Sequence, residues 1–406
     1  MSLNISMVAR MSQNFAKYGV LLVLLFHASA FADLKSDFRQ AYKSYNQYLE
    51  VDDFSLALGS AADAYKLGSK LYGKKHTTTA KLAINYASLL NDMGEYKKAA
   101  KTLKGKLKVM EKAYGDDAHD LVSLLVEVGR ANFDPNKPEK ALVHFQRASD
   151  ILANHQNPIV TGARNFDIVG ILLKRRANLH TRPFVEAAYK AYRGTLVDND
   201  VRLGLVNYHM ALFAANDGRL IDSIEHLDYA LTAFKSDGPQ MGSLERTARL
   251  MLVDVLERVG NSEQATKHCL AIGQRQEWRL PASPLYLKVP GFKLENAGEA
   301  KEGRVTVSFT VDERGFVRNP RVASSTAPGL NEAALAVITD FRYAPRFVDG
   351  NPVATAGVDF TMNYDFTAET RKPRLTRPPV RGMMDSGSKD GQSQGGFGGF
   401  GGGGGK

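Results

Sequence analysis

From residue 34 to about residue 279 apolar positions recur at helical spacing, and the pattern repeats along the chain. The clearest unit runs Leu82-Ala83-Ile84-Asn85-Tyr86-Ala87-Ser88-Leu89-Leu90, then Met93-Gly94-Glu95-Tyr96-Lys97-Lys98-Ala99-Ala100. It predicts a helix, a tight turn at Gly94 and a second helix opened by an aromatic and a small residue. That opening recurs at Phe54-x-x-Ala57, Tyr96-x-x-Ala99, Pro138-x-x-Ala141, Phe184-x-x-Ala187, Leu220-x-x-Ser223 and Ser262-x-x-Ala265, in steps of 42, 42, 46, 36 and 42. Gly218 and Gly260 precede their anchors as Gly94 does. Ala87, Gly129 and Ala211 are small where paired helices must approach closely. Arg175 and Gly194 break the pattern in the fourth unit.

Past residue 303 the period changes from 3.6 to 2. Val305, Val307, Phe309 and Val311 alternate with polar residues and predict one face of a half-buried strand. The loop Glu313-Arg314-Gly315 needs the conformational freedom of Gly315, and Phe316 to Ala323 reads as the return strand. A helix follows, with Leu330, Ala334, Ile338 and Phe341 on one face and Asn331 as its expected N-cap. Pro345 and Gly350-Asn351-Pro352 end it. A last strand alternates Val358, Phe360, Met362, Tyr364 and Phe366 against Asp359, Thr361, Asn363 and Asp365.

Two resemblances rest on these residues. The helical unit resembles the tetratricopeptide repeat, TPR. Its 42-residue step, with the loop Ala113-Tyr114-Gly115-Asp116-Asp117-Ala118-His119, resembles the kinesin-light-chain style of that repeat. The C-terminal unit resembles the C-terminal domain of the TonB family. That likeness is carried by Gly303-Arg304-Val305-Thr306-Val307, Val311-Asp312-x-x-Gly315-x-Val317, Leu330-Asn331-x-Ala333-Ala334-Leu335, Phe341-Arg342-Tyr343-x-Pro345 and Gly350-x-Pro352-Val353.

The chain thus reads as multidomain. A TPR-like all-α solenoid covers 33–279, and a lead-in covers 280–302, where Pro281 and Pro284 stop the helices. A small α+β unit in β-β-α-β order covers 303–366. The segment 1–32 reads as a signal peptide: Arg10 and Lys17 precede an apolar run, and Ala30-Phe31-Ala32 matches a small-x-small cleavage site. The run from Tyr18 to Ala32 falls short of the roughly 20 apolar residues a membrane span needs. Beyond 367 a proline-bearing basic stretch, Arg371 to Arg381, and a glycine run with Phe397 and Phe400 read as a disordered tail.

Charge and chemistry add limits. Removing residues 1–32 takes away Arg10 and Lys17 and no acid, so the net charge falls from +10 to +8. In a cell envelope that favours weak contact of the basic tail with anionic surfaces, with nucleic acid not expected. The single cysteine, Cys269, sits in a helical pattern and reads as core filler. The nine histidines lack metal-ligand spacing, and there is no nucleophile elbow or phosphate loop. The expectation is a periplasmic interaction protein with no cofactor, no metal and no catalysis.

The resemblances name the partners and surfaces. In TonB-family transducers the C-terminal domain grips a short segment of an outer-membrane receptor by strand addition. That likeness marks the edge strand Gly357, Val358, Asp359, Phe360, Thr361, Met362, Asn363 and Tyr364. Its alternative uses are a covered edge or homodimer pairing. The TPR likeness marks the concave side of the first helices, at Lys81, Ser88, Asn91, Ser123, Arg130, Tyr208 and Asn216. Two other readings stay open: an envelope-assembly scaffold without a transport role, and an inner-membrane-anchored energy transducer if the N-terminal segment is retained.

Overall fold

The computed structural model describes residues 31–235, 241–276, 284–288 and 302–365. Residues 1–30, with Ala30 of the expected cleavage site, most of the lead-in, and Phe366 with the tail lie outside them. Ala32 is exposed in the first helix. The chain divides into two compact units, Met1–Asp237 with Gly242–Ala248, and Gly238–Met241 with Arg249–Lys406.

The described residues of the first unit form helices and the turns between them. It contains α1 (31–50), α2 (Phe54–Tyr72), α3 (Thr77–Asp92), α4 (Tyr96–Leu103), α5 (Lys106–Tyr114), α6 (Val122–Asn132) and α7 (Glu139–Ala153). α8 (Pro158–Lys174), α9 (Arg182–Tyr192), α10 (Val201–Asn216), α11 (Leu220–Phe234) and the start of α12 (Ser243–Arg258) continue it. One turn geometry recurs. Gly94 and Gly218 take positive φ, 75° and 78°. The next amide donates back across the turn, Glu95 N–H to the Leu90 carbonyl at 2.8 Å and Arg219 N–H to that of Ala214 at 2.9 Å. This is the six-to-one bond that closes a helix on a left-handed residue.

The same bond closes two turns that have no glycine. Asp52 (φ 55°) and Arg176 (φ 56°) hold the left-handed position, with Asp53 N–H on Tyr48 and Ala177 N–H on Leu172, each at 2.9 Å. The fourth unit therefore departs from the expected register. Its turn residue is Arg176, and a short 3-10 turn (Asn178–His180) delays α9. Val185 and Ala188 are the buried positions, while Ala187, the expected anchor, is only half-buried. Ala57, Ala99, Ala141 and Ser223 are buried at their expected places, and Ser223 Oγ donates to the Ala211 carbonyl at 2.9 Å. Close approach is enforced at Gly129, where a Cβ would stand 2.5 Å from the Phe145 ring.

The second unit contains the rest of α12, then α13 (Ser262–Gln274) and a sheet domain. The turn between these helices repeats the motif at Gly260 (φ 79°), and Ala265 and Cys269 are buried on α13. The strands are β1 (Pro284–Tyr286), β2 (Glu302–Val311), β3 (Val317–Ser325), β4 (Arg342–Tyr343), β5 (Arg346–Val348), β6 (Asn351–Val353) and β7 (Thr355–Asp365), with α14 (Asn331–Ile338) between β3 and β4. β3, β2 and β7 form an antiparallel sheet in that order. Its inward residues Val305, Val307, Phe309, Phe360 and Met362 bury Leu330, Ala334, Ile338 and Phe341. Two small pairings join β1 to β4 and β5 to β6.

Two local expectations change. Asn331 does not cap α14: a 3-10 turn, Pro328–Leu330, leads in, so Leu330 holds the cap position and Asn331 is the first helical residue. Gly350, expected only to end an element, is the second turn residue of the β5–β6 hairpin. Asp349 and Gly350 both take positive φ, as a two-residue hairpin loop requires.

One side chain ties α12 and α13 to the sheet domain. Arg342 on β4 is 1% exposed and ion-pairs with Glu257 of α12. It also donates to Thr266 Oγ1 at 2.7 Å and the Arg314 carbonyl at 3.0 Å, and its guanidinium lies 3.7 Å from the Phe316 ring centroid. Ser262 Oγ donates to the second Glu257 oxygen at 2.6 Å. The packing is as tight as the hydrogen bonding. A Cβ on Gly273 would meet the Pro345 carbonyl at 2.3 Å, and one on Gly315 the Tyr343 carbonyl at 2.1 Å. From Arg249 on, the last helical turns and the sheet domain share one interior.

Candidate partner-binding surfaces

Two surfaces follow from this architecture, one in each unit. In the sheet domain, β7 pairs with β2 residue for residue from Glu302↔Asp365 to Phe309↔Val358. Val358, Phe360, Met362 and Tyr364 turn into the core, and Asp359, Thr361 and Asn363 stay exposed. On that outer face Thr361 and Thr306 share a hydrogen bond at 3.0 Å, and Arg304 donates to Asn363 at 3.2 Å. Gly357 takes positive φ at 72°, just before the regular run begins. No strand among the described residues pairs with the far side of β7. The backbone donors and acceptors there are arranged as a template for another strand.

The opposite sheet edge is β3, and it is broken. Asn319 sits at φ 51°, Pro320 has no N–H to offer, and the β2–β3 register shifts twice. Proline and bulges blunt an edge against further pairing. Of the two edges, β7 is the less interrupted among the described residues.

In the helical unit, the residues expected to face a peptide all lie on first helices of pairs. Lys81, Ser88 and Asn91 are on α3, Ser123 and Arg130 on α6, Tyr208 and Asn216 on α10. They are not equally available. Asn91 is 2% exposed and donates to Glu127 Oε2 at 2.7 Å and the Glu127 carbonyl at 3.1 Å. Arg130 ion-pairs with Glu127 at 3.1 Å and with Asp92. These two side chains bridge α3 to α6 rather than waiting for a ligand. Lys81 pairs with Asp120 at 3.1 Å but remains exposed. Ser123 and Asn216 are exposed, Ser88 and Tyr208 half-buried.

Burial shapes the electrostatics of this stripe. It pushes the Glu127 carboxyl above its ordinary range, against the pull of Arg130 and Asn91. On α8 burial likewise raises Asp167, opposed by Arg164. Neither acid has a sequence signature, since a lone Glu or Asp on a helix is ordinarily a solvated one. Among the described residues no group of three or more His, Cys, Asp or Glu could hold a metal, and no helix is long and apolar enough to cross a membrane.

Residues 78–154 match the family model of the tetratricopeptide repeat, and residues 295–366 that of the Gram-negative bacterial TonB protein C-terminal domain. The chain carries TPR repeats and a TonB C-terminal domain. Both families are built for protein–protein interaction rather than catalysis. No curated protein matches the chain. Among solved structures, BtubC (BKLC) from P. vanneervenii aligns at 12% identity over 58% of this chain and 87% of its own, with a TM-score of 0.38. A putative kinesin light chain from Podosopora anserina, with nearly identical TPR-like repeats, aligns at 13% identity over 49% and 94%, with a TM-score of 0.39. These overlaps are partial, and the assignment of helical pairs rests on the turn geometry above.

Proposed function

We propose that this chain is a periplasmic adaptor in TonB-dependent outer-membrane transport. Its TonB C-terminal domain takes up an extended partner segment along β7, and its TPR stretch holds a second protein. The segment comes from a TonB-dependent receptor or another component of the TonB system. The observation that carries the reading is the asymmetry of the sheet: β7 is regular from Val358 to Asp365 and, among the described residues, unpaired on its outer side, while β3 is interrupted at Asn319-Pro320. Strand addition there draws affinity from backbone hydrogen bonds and selectivity from alternate side chains, here Asp359, Thr361 and Asn363.

The test places a photocrosslinking residue at Thr361 in the cell, with a second probe at Ser123 on α6. Capture of an outer-membrane receptor or a TonB-system protein from Thr361 is the expected result. Capture of only a second copy of the chain makes β7 a homodimer edge and removes the transport reading. If Thr361 yields nothing while Ser123 yields an envelope protein, the chain is a scaffold held by its repeats alone.

A further inference from the structure

The first unit concentrates positive charge on one pair of helices that the adaptor reading does not use. α4 and α5, Tyr96–Tyr114, carry seven lysines and a single acid, Glu111. That acid is already taken by Arg147 at 2.7 Å. Lys97, Lys101 and Lys104 follow one another at helical spacing, opposite the buried Ala99 and Leu103. Gly105, at φ 75°, breaks the helix, and Lys108 and Lys112 then project from α5 opposite the buried Met110. All five are exposed, and none forms an ion pair among the described residues. Lys106 alone is turned inward. Its Nζ donates to the Lys74 carbonyl at 3.0 Å and lies 5.4 Å from the Tyr65 ring, which draws the basic 74–75 turn up to the start of α5.

We propose that the α4–α5 face is a docking surface for the anionic headgroups of a lipid bilayer. Neither of the two described cavities is lined by these lysines. The cations on the face are all lysines, compact and strongly hydrated, without the planar fork that grips one carboxylate or phosphate bidentately. Such a set matches a dense, laterally mobile layer of negative charge better than a discrete ligand. No aromatic occupies the exposed positions between Lys97 and Lys112, so these lysines are not interleaved with stacking side chains as on a surface for single-stranded nucleic acid. No described helix is long and apolar enough to cross a membrane. This surface is independent of the β7 edge, and its test does not depend on the adaptor reading.

The full chain is sedimented with phosphatidylcholine vesicles and with vesicles carrying about a third phosphatidylglycerol, at about 0.1 M salt. Binding is expected only to the second, and is expected to vanish at about 1 M salt, where screening reaches within about 3 Å. A basic residue near an anionic surface is worth about five-fold in partitioning. The quadruple variant K97Q/K101Q/K104Q/K108Q should therefore bind at least about a hundred-fold more weakly. Glutamine is a good helix former and these positions are exposed, so the fold is retained, which far-UV circular dichroism verifies. The variant R371Q/R374Q/R377Q controls for the C-terminal basic stretch and should lose less than the quadruple. The proposal is overturned if the wild-type chain ignores the anionic vesicles. It is also overturned if the quadruple variant binds them as well as wild type does, or if duplex DNA competes the chain off the vesicles at lower phosphate concentration than the lipid itself.

Discussion

Arg342→Met is the sharpest perturbation of the sheet domain. Methionine fills much of the same volume but leaves the Glu257 carboxylate, 9% exposed, with Ser262 Oγ as its one remaining donor among the described residues. It also leaves Thr266 Oγ1 and the Arg314 carbonyl without the bonds they accept at 2.7 and 3.0 Å. Removing one partner of a buried ion pair costs about 3–5 kcal/mol, because the remaining charge is stranded away from water. Chains with more than one unit do not unfold in a single step, so the measurement has to be local. Hydrogen exchange followed by mass spectrometry provides it. Peptides covering α13 and the segment from Asp312 to Tyr343 should lose about two to four orders of magnitude of protection together. Peptides from α6 in the first unit should be unchanged. The double variant Glu257→Gln/Arg342→Met should recover part of the loss, since no uncompensated charge is then buried. If the sheet peptides open while α13 keeps its protection, the shared interior is refuted. If neither opens, the Arg342 cluster contributes no stability.

The other predictions concern single positions. Arg176→Gly should raise stability by about 0.5–1 kcal/mol, because a non-glycine residue in the left-handed region costs roughly 1–2 kcal/mol and glycine returns part of that as chain entropy; a thermal melt that falls instead would mean the Arg176 side chain does something the turn does not show. Burial, reinforced by Arg249 and Lys267, lowers His268 to about 4, so the folded chain keeps it neutral while the unfolded chain protonates near its ordinary 6.5. Its stabilising contribution is therefore intact above about pH 6.5 and is lost as pH falls toward 4, amounting to about 3 kcal/mol at most. His268→Gln should flatten that part of the pH–stability curve of the second unit, and an unchanged curve would show that His268 is not the titrating group.

Much of the repeat was readable because its turn chemistry is explicit. Gly94, Gly218 and Gly260 announce left-handed positions, and the small residues five places on mark buried contacts. Asp52 and Arg176 do the same backbone work without the signature residue, which is why the fourth unit reads out of register in the sequence. The strand alternation of β2 and β7 was equally legible, since period 2 assigns each residue to a face. Asp349-Gly350 was a hairpin signal hidden beside a helix end. What no pattern reports is pairing at a distance: Arg342 and Glu257 lie 85 residues apart, and each in isolation looks like a solvated charge. The same holds for Asn91, whose register on α3 is right for a groove but whose side chain meets Glu127, 36 residues away. Sequence periodicity says which face a residue occupies, not whether a neighbouring helix already covers that face.

The Arg342 cluster also bears on how such a protein is assembled over generations. A recombination that moved only the strands and α14 into another chain would deliver a guanidinium with no carboxylate to meet it and a Pro345 carbonyl without the Gly273 backbone it packs against. The piece that can travel intact begins near Arg249 and brings α13 with it. In this chain the sheet domain is thus completed by α12 and α13, and a graft that left them behind would carry an unfinished interior into its host.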